Sequence, residues 1–152
     1  MNGYKKDLIE YKGVADYIPK SIKSKKEFSI EEIITINKDI EEVLKVSVNG
    51  VCEDTRKIKT PKAISIDGIR LTGRKLLVNS NFSIRIEYIE INFKNKVYLI
   101  KRKINYLTSI ILEDEDAIKR KNIVTIFIEE ILARKINDTD ILVSIYGVIG
   151  VE

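Results

Sequence analysis

Histidine is absent from the 152 residues, and with it go the commonest general base, the usual zinc ligand and every serine- or cysteine-histidine arrangement. One cysteine, Cys52, permits no intramolecular disulfide, so the fold must stand without covalent staples. A lone thiol is most often a small buried hydrophobe; an intermolecular bridge and a reactive site are the alternatives. Two prolines and seven glycines leave few hard stops. The glycine pairs with useful spacing, Gly68 with Gly73 and Gly147 with Gly150, lie in strand and turn contexts and not at a strand-to-helix junction, so no phosphate-binding loop is formed. No window approaches the roughly 20 apolar residues of a membrane span. The opening MNGYKKDLIEYKGV has lysines but no apolar stretch of the kind a signal peptide needs. These absences point to a chain made in the cytoplasm, with no catalytic residue, cofactor or metal.

What is present is globular in character, 44% hydrophobic and 33% charged, unlike disordered chains that lack the apolar residues to offset chain entropy. The length suits one domain with one core. Isoleucine and valine dominate the apolar set, and their branched Cβ fits the pleated surface of a strand. The net charge of +4 is a modest lysine excess, which does not by itself imply nucleic acid.

The densest strand-and-turn grammar runs from Thr60 to Tyr88. Asp67-Gly68 and Thr72-Gly73 read as turns between three apolar runs, and Phe82, Ile84, Ile86 and Tyr88 alternate with Ser83, Arg85 and Glu87. A β-meander is expected there. After Tyr88 the alternation slips to Ile89, Ile91 and Phe93, which signals a bulge or a turn. Upstream, Ser29 with Glu32 and Asp39 with Glu42 carry a helix-start signature, yet each run ends in β-branched residues; the expected compromise is a short helical turn opening into a strand. The neighbouring glutamates Glu31-Glu32 and Glu41-Glu42 point apart on helix or strand, so neither pair converges on a substrate. Asn49-Gly50 reads either as a tight hairpin turn or as a bulge in one longer strand.

Three basic residues, Lys101-Arg102-Lys103, interrupt the strand-like run Val97–Leu112, and Lys119-Arg120-Lys121 follows the acidic run Glu113-Asp114-Glu115-Asp116. A strand splits the first triplet between its two faces, and no aromatic stacking platform accompanies either, so nucleic acid is not expected. The acidic run lacks the glycine and spaced ligands of a calcium loop and reads as a solvated turn.

The two ends carry the most apolar material with the least obvious cover. Residues 1–26 form an arm, with Leu8, Ile9, Tyr11, Val14 and Ile18 diluted by lysines. It either lies along a sheet edge of its own subunit or adds a strand to a neighbour. The last run, Ile141 to Glu152, is apolar on both faces, with Ile141, Val143, Ile145, Tyr146 and Ile149. Such a strand is central in a sandwich or covered by another subunit.

The chain resembles the SPOCS-domain family, found in spore-coat morphogenesis proteins of anaerobic spore formers and in short single-domain proteins. The likeness is carried by Phe28-Ser29-Ile30 with Glu32-Ile33, by Asp39-Ile40-Glu41-Glu42-Val43-Leu44, by Lys59-Thr60-Pro61 with Ser65, Gly68 and Leu71-Thr72-Gly73, and by the strand pair from Leu76 to Tyr88. It spans roughly Asp16 to Val151. The acidic, proline-containing turn that the family usually has after this strand pair is replaced by Ile89 to Lys96 and the Lys101 cluster. The resemblance implies a β-rich interaction module of the spore surface with no catalytic residues to carry over.

Together these readings expect a single mainly-β domain over residues 27–152, two packed sheets in a sandwich, with short helical turns near Ser29 to Leu44 and around Asp116 to Lys121. The expected role is a structural subunit of a spore coat or appendage, binding copies of itself or coat proteins through edge-strand or strand-exchange contacts of the ten end residues named above. The alternative is a soluble adaptor that binds a coat-assembly partner through the mixed-charge surface around Lys101 and Lys119.

Overall fold

Branched residues at alternating positions draw the described residues into eight strands: β1 (Asn2–Lys6), β2 (Ile9–Val14), β3 (Ser24–Thr35), β4 (Ile40–Ile64), β5 (Arg70–Glu90), β6 (Val97–Ile111), β7 (Val124–Lys135) and β8 (Asp140–Val151). The computed structural model describes residues 2–6, 8–22, 24–64, 66–93, 96–113 and 121–152. A five-stranded sheet in the order β1-β2-β4-β5-β6 packs on a three-stranded sheet in the order β3-β8-β7. The result is one mainly-β domain with two stacked sheets. Phe28, Ile30 and Ile34 of β3, Ile128 and Ile131 of β7, and Ile141, Val143, Ile145 and Ile149 of β8 face Val46, Val48, Leu76, Val78, Phe82, Ile84 and Ile86 of the larger sheet, and all are buried. Phe28 and Phe82 meet with ring centroids 5.1 Å apart, and Tyr106 of β6 stands edge-on to Phe82.

The spine is the antiparallel β4–β5 ladder, which runs from Ile40 opposite Glu90 to Ile64 opposite Arg70. Asp67-Gly68 is the turn between them, with Gly68 at φ 79°. Thr72-Gly73, however, lies inside β5. Lys59 pairs with Arg74 and Lys62 with Thr72, so Thr60-Pro61 opposes Gly73 alone. Pro61 has no N–H to give the ladder, and the chain absorbs it as a bulge, with Gly73 at φ 96° in a conformation other residues rarely adopt. Asn49-Gly50 is neither turn nor bulge. Both residues hold regular register against Ser83 and Phe82, and the nearest bulge comes after Cys52.

The helical turns expected near Ser29 to Leu44 are not formed; among the described residues there is no helix. Ser29, Glu31 and Ile33 instead take the solvent-facing positions of β3 while Phe28, Ile30 and Ile34 point inward, so burial of the branched side chains overrides the capping signature. The turn expected around Asp116 falls on 114–120, outside the described residues. The alternation after Phe82 does not slip at Tyr88 but continues inward to Glu90, and the chain then turns, leaving Ile91 and Phe93 exposed. β3 begins at Ser24, inside the arm as read from the sequence, so the arm proper ends before it. No helix among the described residues is long and apolar enough to cross a membrane.

At the other turn, between β7 and β8, Asn137 Oδ1 accepts the N–H groups of Thr139 and Asp140 while Asp140 accepts from Thr35 at 2.7 Å. The Asn137 and Thr35 side chains hold the Asp140 carboxyl below the usual carboxylate range. Within the three-stranded sheet the neighbouring strands press closely on Gly147 in β8. A Cβ there would lie 2.1 Å from the Phe127 carbonyl oxygen and 2.8 Å from the Phe28 ring. Gly147→Ala should therefore cost about 1–3 kcal/mol in urea unfolding, whereas Gly68→Ala, with open space around it, should lose only the smaller amount set by its backbone angle.

Candidate functional site

An outer strand presents a row of main-chain N–H and C=O groups that must be paired, covered or solvated. β7 is such a strand, and the N-terminal hairpin covers it with tyrosines. β1 and β2 pair antiparallel, with Tyr4 opposite Tyr11 and Leu8 at φ 68° in the turn. The two rings stack with centroids 5.0 Å apart. The Tyr4 hydroxyl donates to the Ile131 carbonyl at 2.5 Å and accepts the Ile131 N–H at 3.1 Å. Two residues along, the Tyr11 hydroxyl donates to the Ala133 carbonyl at 3.2 Å and accepts the Ala133 N–H at 2.9 Å. Residues two apart on a strand turn their main-chain groups to the same edge, so the pair of hydroxyls does the work a neighbouring strand would do. Just beyond, the Ala15 N–H reaches the Ile128 carbonyl at 2.8 Å.

On its other side the hairpin is held lightly. β2 runs parallel to β4 over Glu10, Tyr11 and Lys12, opposite Lys45, Val46 and Ser47. Gly13 follows at φ 122°, where a Cβ would lie 2.0 Å from the Val48 carbonyl oxygen. Only glycine lets the strand come this close. Residues 15–22, with Pro19, then cross to the other sheet, and buried Ile22 packs over Gly150.

The ten residues singled out in the sequence fall into two places. Of the arm residues, Tyr11 is 2% exposed and carries the edge contact, Ile9 and Val14 are half-buried against the core, Ile18 is half-buried in the crossing segment, and Leu8 is exposed at the turn. The arm thus packs on its own chain in this structure. Ile141, Val143, Ile145 and Ile149 are fully buried on the inner face of β8, and Tyr146 is half-buried on its outer face. β8 is central, paired with β3 on one side and β7 on the other, and has no edge to present. Sequence reading missed Tyr4 and the receiving positions Ile131 and Ala133. The signal was YKKDLIEY, two tyrosines placed to face each other across a turn, hidden because the arm was read as one extended piece.

Two other outer strands, β6 and β3, carry exposed charge. Lys101, Arg102 and Lys103 are exposed in the middle of β6, Lys103 lies 3.6 Å from Glu53, and Lys101 stands opposite Arg85. Exposed Lys25, Lys26, Glu27, Glu31 and Glu32 line β3. Lys119 lies outside the described residues. Cys52 is half-buried beside the core, and burial, then Asp54, pushes its thiol up, which keeps it protonated and a weak nucleophile. Among the described residues no three His, Cys, Asp or Glu side chains gather where a metal ion could sit. No family profile, no curated protein and no solved structure matches this chain.

Two outcomes test the edge contact. Tyr11→Phe should cost about 1–3 kcal/mol, because it strips the partner from a buried N–H, and hydrogen exchange at Ala133 should speed up. Burial holds the Tyr4 hydroxyl above its ordinary range near 10.0, although the Ile131 hydrogen bond pulls the other way. A raised value favours the protonated, folded form, so the arm's contribution should be intact below pH 10 and be lost as pH rises past the shifted value. Absorbance of ionised tyrosine at 295 nm, read alongside Ala133 exchange, follows both events.

Proposed function

We propose that this chain is a non-enzymatic assembly subunit that associates with copies of itself by exchanging its N-terminal hairpin. The observation that carries the reading is the seating of Tyr4 and Tyr11 on the β7 edge. Every contact of that hairpin with its own β7 and β4 can be supplied by the hairpin of a second copy, with nothing new to build. Exchange of an identical element is a low-cost route to oligomers. Three parallel register pairs and a crossing segment of residues 15–22 make the hairpin the least anchored part of the larger sheet. The charged middles of β6 and β3 oppose simple edge-to-edge addition. Exchange is thus favoured over edge addition, and β8 has no share in the contact.

A chain in which each copy lends its hairpin to the next forms a head-to-tail contact that closes as a ring or grows as a filament. The resemblance to the SPOCS-domain family supports reading such a subunit as part of a spore coat or appendage, with copies of itself and related coat proteins as the proposed partners. The adaptor reading rests on the exposed Lys101 and Arg85 side chains of the larger sheet and calls for an acidic partner.

Light scattering over a range of protein concentrations tests the exchange. The full chain should form dimers or larger species whose amount rises with concentration and changes little between 50 mM and 500 mM salt. Contacts through exposed lysines would instead weaken steeply over that range. A variant lacking residues 1–15, or Gly13→Val, should abolish growth. A full chain that stays monomeric at millimolar concentration would sink the proposal.

A further inference from the structure

Beyond the last contact of β6 with β5, where Leu112 bonds Arg74 and Thr72, the β4–β5 ladder continues as a two-stranded ribbon uncovered by the second sheet. Its charge is lopsided. Residues 56–75, the ribbon together with its root beside the end of β6, hold seven basic side chains, Arg56, Lys57, Lys59, Lys62, Arg70, Arg74 and Lys75, against the single acid Asp67. That leaves 20 basic and 22 acidic residues for the rest of the chain. The modest net charge of the whole thus conceals a net +6 on the ribbon and its root together, on a slightly acidic body. Its tip is apolar: Ile64 is 74%, Ile66 105% and Ile69 51% exposed.

The order along the ribbon is the informative part. Ile66 and Ile69 come first, then Ile64 paired with Arg70, then Lys62 opposite Thr72, then the paired positions Lys59 and Arg74, then Lys75 and Lys57. Apolar groups inserted to about 5–10 Å with cations behind them match the depth profile of an anionic bilayer, where acyl boundary gives way to phosphate and carboxylate headgroups. We propose that the β4–β5 ribbon is a peripheral membrane-binding site that docks tip-first on anionic lipid headgroups, without spanning the bilayer. Arg70, level with Ile64, comes to headgroup level when Ile66 reaches the acyl boundary, and Lys62 follows about 7 Å behind it at a rise of about 3.3 Å per residue. Asp67 at the turn limits the depth of entry, and Glu113 shares the cleft with Lys62, Arg70 and Arg74, which keeps the attraction moderate. A nucleic-acid duplex meets the same cations but leaves the three isoleucines in water unless a base step is opened, so it is the poorer match.

Flotation with vesicles of three parts phosphatidylcholine to one part phosphatidylserine tests the site, with pure phosphatidylcholine vesicles and a labelled 30-base-pair DNA in parallel. The full chain should float with the mixed vesicles and not with the neutral ones, and raised salt should release it. Lys62→Gln and Arg70→Gln should each weaken binding about fivefold, and Ile66→Asp roughly tenfold or more. All three variants should melt with the parent, since these side chains lie outside the core. Failure to float with mixed vesicles overturns the proposal. So does flotation that Ile66→Asp and the glutamine variants leave unchanged, or retention of DNA at concentrations where vesicles are ignored.

Discussion

Main-chain hydrogen bonding at the outer strands is the constraint to which the rest of this structure answers. Two open sheets leave four strands at their borders, β1, β6, β3 and β7, and each unpaired row invites a stranger. The chain handles them differently. β6 and β3 carry lysine, arginine and glutamate along their length, which makes a second strand unwelcome. β7 carries exposed Glu129, Glu130, Arg134 and Lys135 as well, and two phenol hydroxyls bond its main-chain groups at Ile131 and Ala133 in place of a neighbour. Each hydroxyl both gives and receives, which satisfies an N–H and a C=O together.

The second consequence comes from the unequal length of the strands. β4 and β5 outrun the three strands that cover them, and what lies beyond has no core to join. Charges follow that division. The covered part of the larger sheet has an alternating inner face, while the uncovered part keeps exposed cations on both strands and exposed isoleucines at its turn. A bulge at Thr60-Pro61 marks the passage from one to the other.

The fold was largely legible from alternation. Phe82 to Tyr88 reads as a half-buried strand and is one, and the apolar run from Ile141 reads as a strand central in a sandwich or covered by another subunit, of which the first holds, β8 being central in its sheet. Local signatures misled where burial or long pairing outweighed them: the capping pairs at Ser29 and Asp39, the glycines of Asn49-Gly50 and Thr72-Gly73. Each is a statement about a few residues, whereas the β4–β5 ladder is decided by cross-strand partners as much as 50 positions apart, Ile40 with Glu90. The role of Tyr4 was out of reach for a related reason. Nothing near it in the chain indicates that its partner is the backbone of Ile131.

That separation has a temporal side. Tyr4 and Tyr11 bond to main-chain groups 127 and 122 residues further along. At ribosomal speeds of about 5–20 residues per second, the hairpin waits on the order of 10 s before its own β7 exists. The first segment made thus waits for one of the last, as β3 waits for β8. Under the exchange proposed above, where several ribosomes share one message, whose β7 the hairpin finds becomes a matter of local crowding as well as of affinity.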